Sequence, residues 1–263
     1  MSVQEKMTAM ADAIRSATGT QEKLSLDQMA AAIHEIQAAA KHQGTQEFWD
    51  LLQDYGRRTD YRYAFFYGGY ETIDPKHFAR VTNGDSIFHL CGRLRSVNWE
   101  KFDLSAVSSL YNAFGYCYEL EQVDTPLGLS ENAETALNSI FRGCSRLRYV
   151  RQLKAVPKAV WKNSFDDCSS LEHIVFTGTI GTDGLNMRWS TKLDRESIQS
   201  VIRCLSDTVE DMSIILSDTA VDNAFGHWSE ELYDGEPIWI SGAGSDAWQA
   251  LVNTKPNWYI QLL

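Results

Sequence analysis

The sequence predicts an α/β solenoid, a spiral of short parallel strands with a helical N-terminal segment and a mixed C-terminal cap. Two observations predict it. A phenylalanine is followed at steps of three by cysteine, leucine and a β-branched residue in four runs: Phe88–Cys91–Leu94–Val97, Phe114–Cys117–Leu120–Val123, Phe141–Cys144–Leu147–Val150 and Phe165–Cys168–Leu171–Ile174. The register recurs after 26, 27 and 24 residues, and self-similarity at such a period marks stacked repeats. Each unit is too small to bury its own apolar side, so the core arises by laying one coil on the next.

The step of three excludes a single regular element. On an α-helix, four apolar residues at that step drift around the cylinder; in a strand they alternate between faces. A tight turn or 3₁₀ piece, which eclipses i and i+3, accounts for Phe to Leu. A short strand then takes over, since Val97 and Trp99, Val123 and Thr125, and Ile174 and Phe176 show a period of two. The third run departs, with polar Gln152 where the second inward residue is expected. The period falls in the leucine-rich repeat range, so the expected fold is a leucine-rich repeat solenoid with short parallel strands.

Residues 1–42 read as a helical docking or oligomerisation segment. Met7, Met10 and Ile14 have helical spacing, Gly19 breaks the helix, and Ser25 is an N-cap before a stripe of Met29, Ile33 and Ile36. Two short amphipathic helices do not make a stable monomeric domain, so they are expected to pack on copies of themselves or on another protein, with packing against their own repeats as the alternative. Residues 43–83 form the N-terminal cap. A third helix through Phe48, Leu51 and Leu52 ends near Gly56, and Pro75 opens a new segment. The aromatic stretch from Tyr61 to Phe78 reads as a cover for the open end of the stack, with a glycan platform as the alternative. Residues 84–190 hold the repeats, with Leu185, Met187 and Trp189 as the strand of a degenerate fifth rung. Residues 191–263 are a C-terminal α/β cap: Asp194 caps a helix bearing Ile198, Val201, Ile202 and Leu205, Ile214–Leu216 is a strand, 226–244 an irregular excursion, and Trp258–Leu263 a final strand.

Composition narrows the function. A net charge of -11 argues against a nucleic-acid binder, which needs a basic footprint, and against docking on anionic lipid. No apolar run approaches the length of a membrane span, and Met1–Met10 lacks the apolar core of a secretion signal. Of five cysteines, four are locked into the repeat and read as a column of buried thiols. Equivalent positions in a column do not make a zinc tetrahedron, and their shared direction speaks against rung-to-rung disulfides. Cys204 is expected to be buried in its own helix.

No nucleotide, metalloprotease or serine-hydrolase motif occurs. Acidic neighbours such as Asp166-Asp167 do not supply the two separated carboxylates of glycoside hydrolysis. Ser241–Ser245 reads as a flexible glycine loop. The expectation is a non-enzymatic chain without cofactor, metal or catalytic residue. The remaining functional surface is the outward face of the repeat strands. Alternation turns Asn98, Asp124, Arg151 and Val175 outward in one column, and Ser96, Gln122, Tyr149 and His173 in a second. Such a mixed surface suits a protein or a polar glycan; an ordinary wet sheet face is the equal alternative.

The F-x-x-C-x-x-L-x-x-[VI] ladder resembles the BspA-like leucine-rich repeats of bacterial surface proteins. The segment from Met10-Ala-Asp-Ala-Ile-Arg through Gly19-Thr20 to Leu24-Ser-Leu-Asp-Gln-Met-Ala-Ala-Ala-Ile33 resembles a leader shared by phage and prophage tail proteins of Firmicutes. Phe48-Trp49-Asp50, Arg58-Thr59-Asp60-Tyr61 and Lys255-Pro256-Asn257-Trp258 are similar to segments that accompany these repeats there. The resemblance implies a phage tail or baseplate appendage located in the virion. Residues 1–42 would dock on other tail proteins or homo-oligomerise, and the repeats would meet a host surface protein or glycan. An intracellular prophage interaction module and a virion-associated glycan hydrolase are the alternatives.

Overall fold

The computed structural model of the protein describes residues 60–74, 78–130, 137–233 and 236–263. The helices expected in 1–42, the helix through Phe48, Leu51 and Leu52, and Pro75 lie outside the described residues.

The described chain winds as a solenoid of about five turns. Its spine is a column of phenylalanine rings. Phe88, Phe114, Phe141 and Phe165 follow one another at centroid distances of 5.3, 5.3 and 5.7 Å. A fifth member, Phe65, stacks on Phe88 at 5.3 Å. The coil that the sequence did not reveal therefore lies before the ladder, where Gly68 replaces the cysteine. Tyr70 occupies that space, 2.1 Å from where a Cβ on Gly68 would sit.

Each phenylalanine stands at the centre of a turn of uniform construction. Residues two before and two after it have left-handed backbone: Tyr63 and Tyr67, Ser86 and Leu90, Asn112 and Tyr116, Ser139 and Gly143, Asn163 and Asp167. Within a turn the N–H groups alternate in direction. In the Phe114 turn, the N–H groups of Asn112, Phe114 and Tyr116 donate to Asn138, Ile140 and Arg142 of the next coil, while those of Ala113, Gly115 and Cys117 donate three residues back. The turns thus join coil to coil as a sheet would.

The cysteines complete this arrangement. The Sγ of Cys91, Cys117, Cys144 and Cys168 donates to the carbonyl of Phe65, Phe88, Phe114 and Phe141, at 2.8, 3.0, 2.9 and 3.1 Å. The Phe88, Phe114 and Phe141 carbonyls therefore accept both their own coil's cysteine N–H and the next coil's thiol. A small, buried, weak donor is what the position needs. All four thiols are free and fully buried. Burial pushes the Cys91 and Cys144 thiols up to about 12 from an ordinary 9.0, and raises Cys117 and Cys168 well above it. Two results are expected. At about pH 8 the four thiols stay unreactive toward an aromatic disulfide reagent until the chain unfolds, and half-buried Cys204 reacts first. Because the folded values lie above the unfolded ones, their contribution to stability is complete below pH 9.0 and is lost as pH rises through about 12. Denaturant midpoints measured across that window should fall, and fall less in Cys144→Ala.

Beyond the turns the chain extends into β1 (Thr72–Ile73), β2 (Ala79–Arg80), β3 (Ser96–Val97), β4 (Phe102–Val107), β5 (Gln122–Leu129), β6 (Tyr149–Ala155) and β7 (His173–Gly178). All pairings among them are parallel: β1 with β3, and β2–β4–β5–β6–β7 in one sheet. Two sequence expectations change here. Trp99 is not a strand residue; it opens a 3₁₀ turn at Trp99–Lys101 that separates β3 from β4, and its ring still reaches Phe88 and Phe114 at 6.0 and 6.1 Å. Gln152 does not occupy the inward position. A bulge between Val150 and Leu153 gives that place to fully buried Leu153, paired with Phe176, and the Gln152 amide donates to Thr177 Oγ1.

The degenerate fifth rung is also corrected. β8 (Leu185–Met187) buries Leu185 and Met187 but pairs with β9 (Met212–Leu216), which in turn pairs with β12 (Trp258–Leu262) in a separate parallel sheet. Trp189 is 43% exposed, with the Arg188 guanidinium over its ring. The edge of β7 meets α1 (Arg195–Cys204) instead. Ser197 and Ser200, buried and one turn apart, accept from the N–H groups of Ile174 and Phe176, both at 2.9 Å. Asp194 caps the helix, accepting from the Ser197 N–H at 2.8 Å, as its position in the sequence predicts. The remaining elements are α2 (Asp218–Phe225), β10 (His227–Tyr233), β11 (Glu236–Ile240) and α3 (Asp246–Val252). β10 and β11 form an antiparallel hairpin where an irregular excursion was expected. The Ser241–Ser245 stretch is not a free loop but a capped 3₁₀ turn, with the Gly242 N–H on Asp222 Oδ1 at 2.7 Å.

Candidate functional site

The column of Gln122, Tyr149 and His173 lies on one line. Gln122, Tyr149 and His173 face one another in register across β5, β6 and β7. The Tyr149 and His173 rings stack at 5.3 Å and 8°. His173 Nδ1 lies 2.7 Å from Asp194 Oδ2, so a helix cap and a strand residue share one carboxylate. Burial raises the Asp194 carboxyl, but the bonds from His173 and Ser197 outweigh it and hold the group below the usual carboxylate value. Ser96 occupies the corresponding place on β3, paired with Thr72, and is exposed.

The column of Asn98, Asp124, Arg151 and Val175 is less regular. Asn98 donates its amide to Asp74 at 2.8 Å and is half-buried, as is Val175; Asp124 and Arg151 are exposed. The bulges between Val123 and Pro126 and between Val150 and Leu153 interrupt the pairing at these residues, so Asp124, Arg151 and Val175 do not oppose one another as register partners.

Several charges on this side are paired within the molecule. Arg148 grips Glu172 on two oxygens, at 3.0 and 2.8 Å, which lowers the Glu172 carboxyl. Glu119 takes Arg146 and, at 3.7 Å, Arg95. Arg93 pairs with Glu71. These exposed pairs add little to stability. Among the described residues, no group of three or more His, Cys, Asp or Glu is placed to hold a metal ion, and no helix is long and apolar enough to cross a membrane.

A second surface runs along the turns, joining Tyr63, Phe66 and Tyr67 of the aromatic stretch from Tyr61 to Phe78 to rings that the sequence reading did not include. His89 stacks on Phe66 at 5.4 Å and 16°, and Tyr116 meets His89 edge-on at 5.7 Å. Tyr118 follows at 6.0 Å, and the Arg142 guanidinium lies 5.6 Å from the Tyr116 centroid. Tyr63, Tyr67 and Tyr118 are 58%, 46% and 48% exposed. Two glycines let these rings lie down on the neighbouring coil. A Cβ on Gly115 would come within 2.7 Å of His89 Nδ1, and one on Gly143, at φ +74°, within 2.7 Å of the Tyr116 ring. Burial holds the His89 imidazole below its usual value, against the backbone contact with Asn112. The signal for this ridge is present in the sequence as aromatic residues one to four places after Phe65, Phe88 and Phe114, but it becomes visible only once Phe65 is counted as a coil. The chain matches no family model, no curated protein and no solved structure.

Proposed function

We propose that the protein is a non-enzymatic binding and structural component of a phage tail or baseplate, built on leucine-rich repeats of the BspA-like kind. Residues 1–42 dock on other tail proteins and join copies of the chain, and the solenoid presents its side surface to a host protein or glycan. The observation that carries this reading is the pairing of a four-run Phe–Cys–Leu ladder with the tail-protein-like leader in one chain. A parallel stack whose coils are joined by backbone hydrogen bonds supports it, since such a body offers a preformed surface without a reorganisation cost. Mass spectrometry of purified particles tests the setting: the chain is expected there, and its absence would sink the reading. Deleting residues 1–42 should abolish both oligomerisation and incorporation; a truncated chain that keeps both contradicts the docking role.

A further inference from the structure

We propose that the aromatic ridge along the turns is a binding platform for a neutral glycan chain, taken ring face against sugar face. It rests on the binding role proposed above, not on the virion setting. The ridge crosses successive coils, with aromatic neighbours from Phe66 to Tyr118 between 5.4 and 6.0 Å apart. His89 is closed between Phe66 and Gly115 and serves as its base, and the rings open to a sugar are the exposed Tyr63, Tyr67 and Tyr118. A pyranose presents an apolar C–H face to such a ring and its hydroxyls to the polar tips around it, here the tyrosine hydroxyls and the Arg142 guanidinium. Aromatic rings deliver large contact area with few rotatable bonds, so little conformational freedom is lost on binding. The close approach at Gly115 and Gly143 holds His89 and Tyr116 flat before any ligand arrives. A ligand of repeating units suits rings set on three successive coils.

The choice of a neutral sugar polymer follows from charge. The ion pairs beside the ridge, Arg93 with Glu71 and Arg146 with Glu119, are already matched. The net charge of -11 disfavours acidic glycans and nucleic acids, which would otherwise also stack on aromatic rings.

The test is equilibrium binding of the purified full chain to cellohexaose, chitohexaose, dextran and mannan, with hyaluronate as the acidic control. At least one neutral probe is expected to bind. Tyr118→Ala and Tyr67→Ala should each weaken that binding about tenfold, while Tyr118→Phe, which keeps the ring, should stay within about threefold. Tyr259→Ala, at an exposed tyrosine on β12, should change nothing. Melting curves confirm that each variant is folded. Failure of every neutral probe, preference for hyaluronate, or binding indifferent to the ridge variants would overturn the proposal. So would loss, in Tyr118→Ala, of a protein ligand when no glycan binds. Glycan binding by a chain missing from particles would sink only the tail assignment; a chain in particles that binds no probe would sink only this one.

Discussion

Replacing Phe141 by alanine is expected to destabilise the fold by about 3–5 kcal/mol, the usual cost of removing a buried aromatic ring. Phe141 is fully buried in the middle of the ring column, with Phe114 at 5.3 Å and Phe165 at 5.7 Å. The turn backbone on either side is tied to neighbouring coils, so it has little freedom to collapse into the void. Its N–H donates to Ser164, and its carbonyl accepts from Cys144 and Cys168. In a stack held by nearest-neighbour interfaces, a defect in the middle weakens two of them. Denaturant unfolding measures the loss, and the melting temperature should drop by about 10 °C. The exposed Tyr259→Ala is the contrast, at under about 0.5 kcal/mol. A Phe141→Ala cost below about 1 kcal/mol would mean that the column is not the core it is taken to be.

Replacing Ser197 and Ser200 together by alanine should cost about 2–4 kcal/mol, because two buried N–H groups of the last sheet strand lose their acceptors. This runs against helix propensity, since alanine favours the helix over serine by a few tenths of a kcal/mol. The two serines lie next to each other, so their single effects need not add. Without them the β7 edge regains free donors, which invites pairing with another chain. Hydrogen exchange gives a residue-specific readout: the Ile174 and Phe176 amides should lose protection before the rest of the sheet. Unchanged protection at those two amides would show that the helix does not seal the edge through its hydroxyls.

The solenoid was legible because identical residues at one period leave a single economical burial, in which like sits on like. The Phe, Cys, Leu and Val/Ile positions of all four runs are buried as that pattern demands. The pattern failed where a coil departs from it in composition or length. Phe65 was hidden because its coil carries glycine at the cysteine position and comes 23 residues before Phe88. Leu185 and Met187 imitated a fifth rung because buried strand residues alternate in any sheet, and periodicity does not name the partner strand. The hairpin of β10 and β11 was not legible although Asp234-Gly235 is a hairpin signal; Ser229-Glu230-Glu231 interrupts the alternation of the first strand, where the pairing shifts register between Trp228 and Leu232. Of the candidate surface, the Gln122–Tyr149–His173 column was readable from the repeat. The other column was not, because bulges shift facing without changing residue type.

The sequence by itself determined the coil period, the apolar ladder and the burial of the four repeat thiols, since these follow from residue type and spacing. Only the tertiary structure decided the left-handed turn residues, the donation from each thiol to the preceding phenylalanine carbonyl, the serine seal on β7 and the aromatic ridge. Leu90 and Tyr116 illustrate why. A left-handed backbone costs a non-glycine residue about 1–2 kcal/mol, so local preference points away from it. It is held there because the N–H of each then reaches the next coil, at 2.8 Å for Leu90 to Gly115 and 2.6 Å for Tyr116 to Arg142. That compensation exists only when a second coil is in place.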